Sequence, residues 1–157
     1  MSTNRSKWLV SGMLVVGVAV VAVSAVRGVD GEAGQDEAAI KACVDKYYRG
    51  VIGADAALIR EAWDMDNGRM ASVNSSGASD HVSVVPVNQA IAWWIRVKAH
   101  TSSSHVLNVD IVDGQMASVK HEFIYNKLQY IEFITLFKVN GTWKIVSKEY
   151  TQKKLDG

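Results

Sequence analysis

From Leu128 to Tyr150 the chain reads LQYIEFITLFKVNGTWKIVSKEY, in which two β-branched and aromatic runs flank Val139-Asn140-Gly141-Thr142. Asn-Gly between such runs is the strongest short-range hairpin signal, because both residues tolerate the positive φ of a two-residue turn. The same punctuation recurs upstream at Asp113-Gly114 and Asn126-Lys127. Four long strands are therefore predicted in close order: Ser103 to Val112, Gln115 to Tyr125, Leu128 to Val139 and Thr142 to Thr151. Two shorter strand candidates, Arg69 to Val73 and His81 to Val85, are separated by the Ser/Gly loop Asn74 to Asp80.

The period changes in the first half of the chain. Ile40, Val44, Tyr47 and Val51 recur at helical spacing, so Glu37 to Ile52 reads as an amphipathic helix with Asp36 at its N-cap and Gly53 as its stop. Asp55 caps a second, shorter helix through about Trp63, and Asp64 to Gly68 is a turn cluster. After Pro86, the single proline, Asn88 to Lys98 reads as a third helix carrying Ile91, Trp94 and Ile95. Helices followed by a run of antiparallel strands give an α+β fold, with helices packed on one face of a curved sheet.

The first residues are of a different kind. Arg5 and Lys7 precede Trp8 to Val26, a run without charge, and the small pair Ser24-Ala25 follows the apolar core. That is the layout of a signal peptide cleaved to leave a start near Val26, and hence of an exported, periplasmic or secreted domain. The competing reading is an uncleaved inner-membrane anchor through residues 8–26, since about 19 apolar residues just span a bilayer. On this reading residues 1–25 are a signal or anchor, 26–36 a Gly-rich linker and 37–153 one domain. Removing Arg5 and Lys7 takes the formal charge from +1 to −1. A near-neutral domain without a basic stripe argues against nucleic acid, and any membrane contact runs through the N-terminal segment. The lone Cys43 cannot form an internal disulfide, and among apolar helix positions it reads as a small core residue.

Two segments carry a family resemblance. YYRGVIGADAALIREAW (Tyr47 to Trp63) and FITLFKVNGTWKIVSKEY (Phe133 to Tyr150) resemble the helix–break–helix and the closing strands of the nuclear transport factor 2-like superfamily. Within it the chain looks most like the bacterial lumazine-binding branch, close to the SnoaL-like branch. The resemblance covers about Glu37 to Lys153. It implies a cone-shaped, cystatin-like fold of three helices on a curved, mostly antiparallel sheet, with a homodimer formed through the sheet's outer face. It does not imply one activity, because members include isomerases, dehydratases, epoxide hydrolases, binders and dimerisation modules.

Steroid isomerases of the superfamily use a helix-one tyrosine, a carboxylate base on an early strand and a protonated carboxyl on a late strand. A carboxylic acid kept neutral in an apolar cavity can donate a hydrogen bond to a developing oxyanion. Tyr47 stands eight residues before Asp55, as that tyrosine does, and Glu132 lies on the late strand. The base is missing, since Arg69-Met70-Ala71-Ser72-Val73 holds no carboxylate. Catalytic residues are thus unassigned, and the pocket candidates are Tyr47, Trp63, His81, His121, Tyr125 and Glu132. Glu132 faces the cavity only if its strand face is concave; on the convex face it is a solvated residue. Of the four histidines (His81, His100, His105, His121) no two stand four apart, and no Cys or carboxylate set completes a metal site, so neither metal nor cofactor is expected. The many large rings, Trp63, Trp93, Trp94, Tyr48 and Tyr130 among them, suit an aromatic pocket, but most read first as core or dimer interface, and adjacent Trp93 and Trp94 cannot both face inward. The first functional expectation is an exported binder of a small, largely apolar ligand. Its alternatives are an isomerase, dehydratase or cyclase using a His base with Tyr47 or Glu132 as oxyanion donor, and a non-catalytic dimerisation module with a solid cone. Trp143 is expected to be structural.

Overall fold

The computed structural model describes residues 26–75, 79–96, 98 and 102–155, with side chains from residue 32 onward. Most of the apolar run from Trp8, the residues 76–78 and His100 lie outside the described residues. Among the described residues three helices, α1 (Val26–Gly53), α2 (Ala56–Ala62) and α3 (Val87–Trp94), combine with six strands. The strands are β1 (Arg69–Asn74), β2 (His81–Pro86), β3 (Ser102–Val112), β4 (Met116–Tyr125), β5 (Leu128–Val139) and β6 (Thr142–Lys154).

The first helix departs from its sequence reading. Among the described residues it already runs from Val26, so the segment Gly28 to Gln35 is helical. Asp36 is accordingly no N-cap. Its carboxylate accepts from Trp143 Nε1 at 3.1 Å and meets Lys138 Nζ at 2.6 Å, tying α1 to the closing hairpin. Those two hydrogen bonds, Lys138 first, hold the Asp36 carboxyl below the usual range against a modest opposing effect of burial. The second helix follows expectation, with Asp55 Oδ1 accepting from the N–H groups of Ala57 (2.9 Å) and Leu58 (3.3 Å). The break before it requires Gly50, whose missing Cβ would stand 2.7 Å from Ile59 Cγ1. The third helix is shorter than expected. It starts directly after Pro86 and closes at Ile95, whose N–H donates to the Ile91 carbonyl while the N–H of Arg96 donates to that of Trp93, each at 3.2 Å.

The strands form one curved sheet in the order β2-β1-β6-β5-β4-β3. β3 to β6 are an antiparallel meander, β1 and β2 a hairpin, and β1 joins β6 in parallel with Arg69 beside Ser147. All three predicted turns carry positive φ at both central residues: Asp113 and Gly114, Asn126 and Lys127, Asn140 and Gly141. That is the conformation whose twist matches a right-handed hairpin.

A register shift in β6 sets the inner face. Thr135 pairs with Ser147 but Leu136 with Ile145, leaving Val146 as the extra residue of a bulge. Before it, Trp143 and Ile145 point inward; after it, strict alternation resumes one residue later, so Lys148, Tyr150 and Gln152 take the inner face. They stand beside Glu132, Ile134 and Leu136 of β5 and His121 and Val119 of β4. α1 and α2 cover this face, burying Ile40, Val44, Tyr47 and Tyr48 with Ile59 and Trp63. Trp143 is buried in the same core, and Cys43 sits beside it with its thiol pushed up to about 11 by burial, a small core residue and no nucleophile.

Candidate functional site

At the end of the cone away from Trp143 the core opens into a cavity of about 240 Å³. Its walls are aromatic: Trp94 of α3 with Phe123, Tyr125, Tyr130 and Tyr150 of the sheet, and half-exposed Trp93 among the lining residues. The polar part is a cluster of three side chains from three elements. Lys148 Nζ donates to Glu132 Oε1 and to Tyr47 Oη, each at 2.9 Å. All three are buried, Glu132 fully and Lys148 to 5% residual exposure.

Burying a lysine is costly unless its charge is compensated. Here the carboxylate and the phenol supply two acceptors, and the rings of Tyr150, Trp94 and Tyr47 lie 5.1, 5.2 and 5.3 Å from Nζ. Such desolvated cation–π contacts add to the ion pair. Burial pushes the Glu132 carboxyl up from its usual range, and Lys148 opposes that rise. Burial, and then the charge of Glu132, push the Tyr47 phenol well above its ordinary value, so it is a neutral donor and acceptor.

Behind Glu132 the hydrogen-bond chain continues. Glu132 Oε2 lies 3.4 Å from His121 Nδ1, and His121 Nε2 lies 2.9 Å from Ser104 Oγ on the edge strand. A carboxylate only accepts, so the imidazole proton belongs on Nδ1 and Nε2 accepts from the serine. The ring stacks on Tyr48 with centroids 4.0 Å apart. Burial first, then the charge of Lys148 and of His105, pull its pKa down to about 3, so it is neutral throughout the physiological range. His121 holds the carboxylate in place, and burial, followed by the neighbouring cation, makes it a poor base.

Of the six residues singled out from sequence, Tyr47, Tyr125 and Glu132 line the cavity. Glu132 thereby belongs to the concave face. Trp63 does not line it; it lies beneath, edge-on to Tyr47 at 5.4 Å. His121 is one layer behind, and His81 is exposed on β2, outside the cavity. Lys148 and Tyr150 escaped the sequence reading because a strict period of two from Trp143 sends both outward. Among the described residues no three His, Cys, Asp or Glu side chains gather as metal ligands.

The element order and the cone define a protein of the nuclear transport factor 2-like class. A family model described as "Putative lumazine-binding" matches residues 35–151, and the chain belongs to that family. Solved structures agree on the fold. An NTF2-like protein of unknown function from Shewanella baltica is 24% identical, with a TM-score of 0.68 over 76% of this chain and 95% of that one. Another from Silicibacter pomeroyi is 18% identical, with a TM-score of 0.65 over 77% and 98%. A ketosteroid isomerase-like protein from Erwinia carotovora is 16% identical, with a TM-score of 0.56 over 73% and 94%. No curated protein matches the chain.

Proposed function

We propose that this protein binds a small, planar, largely apolar molecule in the open end of the cone and performs no proton abstraction on it. The observation that carries this reading is the aromatic-walled cavity over a buried Lys148–Glu132–Tyr47 cluster. At about 240 Å³ it lies just under the usual range for drug-sized ligands, which favours a compact one. The isomerase, dehydratase or cyclase alternative needs a base within reach of substrate. Glu132 is held by Lys148, His121 is packed behind it, and His81 stands outside. A solid dimerisation module has no use for such a cavity.

The test is equilibrium binding of a panel of planar mono- and bicyclic compounds, followed by quenching of tryptophan fluorescence, since Trp93 and Trp94 line the site. The family's description names lumazine, so lumazine joins the panel. Saturable binding that is lost on filling the cavity, for example by Met70→Trp, supports the reading; an entire panel without binding to millimolar concentrations refutes it.

Two further expectations complete the proposal. The Trp8 to Val26 run supports export, and mass spectrometry of the mature N-terminus distinguishes a start near Val26 from a retained anchor. The outer sheet face exposes Val73, Val82, Val84, Phe133, Phe137 and Val139, each with 42% or more of its surface accessible. A homodimer through this face would cover a patch that soluble monomers rarely leave open. Light scattering after size exclusion tests it, and a monomer at high micromolar concentration counts against it.

A further inference from the structure

We propose that the cavity floor selects its ligand by a hydrogen-bond acceptor, seating the carbonyl oxygen of a neutral planar molecule against Lys148 Nζ and the Tyr47 hydroxyl. The inference rests on the ligand-binding reading above and comes from counting donors and acceptors. An ammonium has three N–H groups and no acceptor. Glu132 Oε1 and Tyr47 Oη take two of them, and the third has no hydrogen-bond partner among the described residues. Tyr47 Oη accepts from Lys148, so its own proton is the one left to give, and it too has no acceptor among the described residues. Glu132 accepts from Lys148 at Oε1 and faces His121 Nδ1 with Oε2, and among the described residues no hydrogen bond joins it to Tyr47. The floor therefore presents two unused donors, about one ammonium–phenol hydrogen bond apart, beneath walls of Trp94, Phe123 and Tyr130. One oxygen with two lone pairs can accept from both.

Charge narrows the class further. The ammonium of Lys148 is already balanced by the carboxylate of Glu132 at 2.9 Å, and the floor carries no net charge. A carboxylate ligand would enter as an uncompensated buried anion beside Glu132, which is costly. An apolar ligand of the same shape would fill the walls and leave both donors stranded. An aromatic ketone, lactone or lactam satisfies the donors without adding charge.

Three probes of one shape separate these cases: 1-indanone, indane and indane-1-carboxylate, measured by equilibrium dialysis against the full chain and against Tyr47→Phe, with folding checked by circular dichroism. In the unmodified protein 1-indanone binds more tightly than the carboxylate. Tyr47→Phe weakens 1-indanone by about tenfold, one neutral hydrogen bond's worth, and leaves indane within about twofold. Equal weakening of both, or of neither, overturns acceptor selection while indane binding keeps the cavity reading alive. Tighter binding of the carboxylate overturns the neutral-ligand class. Failure of all three probes to bind overturns this inference and the cavity reading together. If Tyr47→Phe does not fold, the ranking of 1-indanone against the carboxylate in the unmodified chain decides the matter.

Discussion

Acid should destabilise this protein earlier than its carboxylates alone would cause, and His121 is the reason. In the folded chain its pKa is pulled from 6.5 to about 3 by burial, Lys148 and His105. In the unfolded chain it titrates near the ordinary value of about 6.5. Between those two values the unfolded state binds the extra proton, so stability rises with pH across this window and falls on acidification. At about pH 7.5 neither state is protonated and the contribution is close to zero. At about pH 5 the unfolded imidazole is almost fully charged and the folded one is not, a difference of roughly 2 kcal/mol. Asp36 does not confuse this range: its lowered pKa contributes stability that is lost only as the pH falls below the usual carboxylate value. Glu132 acts in the opposite sense, because a raised folded pKa favours the folded state on acidification. The comparison must therefore be with His121→Gln, which keeps a donor toward Glu132 and an acceptor toward Ser104 but cannot titrate. Urea denaturation monitored by tryptophan fluorescence at about pH 7.5 and pH 5 should show the wild type losing roughly 2 kcal/mol more than the variant. Parallel losses in the two proteins would refute the claim that His121 is buried neutral.

Three other outcomes follow from the packing. Lys148→Ala should destabilise by roughly 3–5 kcal/mol because it leaves the Glu132 carboxylate buried without a cation, whereas Lys148→Met combined with Glu132→Gln should recover most of that loss in chemical denaturation; a double variant no better than the single would contradict it. Trp143→Ala should cost about 3–5 kcal/mol and lower the melting temperature sharply, while Tyr47→Phe should cost about 1 kcal/mol, since the N–H it strands opens onto the cavity; ligand loss with normal folding in Trp143→Ala would mean the pocket lies at the other end of the cone. Gly68→Ala should destabilise by about 1–3 kcal/mol or more, because its Cβ would collide with the Asp64 carbonyl oxygen and stand 2.8 Å from Val87 Cγ1 and 2.9 Å from Trp63 Cε3; a normal thermal melt would refute it.

The hairpins were legible in the chain because their cause is local. Asn140-Gly141 can adopt the turn that the flanking runs require, and no distant residue has a vote. The helical pattern of Ile40, Val44, Tyr47 and Val51 is local in the same sense, as is the Asp55 cap. The start of α1 was not legible, because Asp36 finds its partners in Lys138 and Trp143, about a hundred positions away. A carboxylate that reads as a cap by sequence becomes a tertiary tie once a hairpin brings donors to it.

The site divides along the same line. Sequence alone determined that the chain makes an α+β fold with Tyr47 on its first helix and Glu132 on a late strand, since periodicity and turn chemistry act over a few residues; the cone shape was implied by the family resemblance. Only the tertiary structure decided that Glu132 faces inward, that His121 is buried behind it and that Lys148 neutralises it. The bulge at Val146 moves Lys148 and Tyr150 from the outer face to the inner one, and a bulge is a compromise between two strands that neither encodes by itself. The electrostatics depend on that one-residue shift: without it Glu132 would be a buried carboxylate with no cation, and the cavity would have no floor.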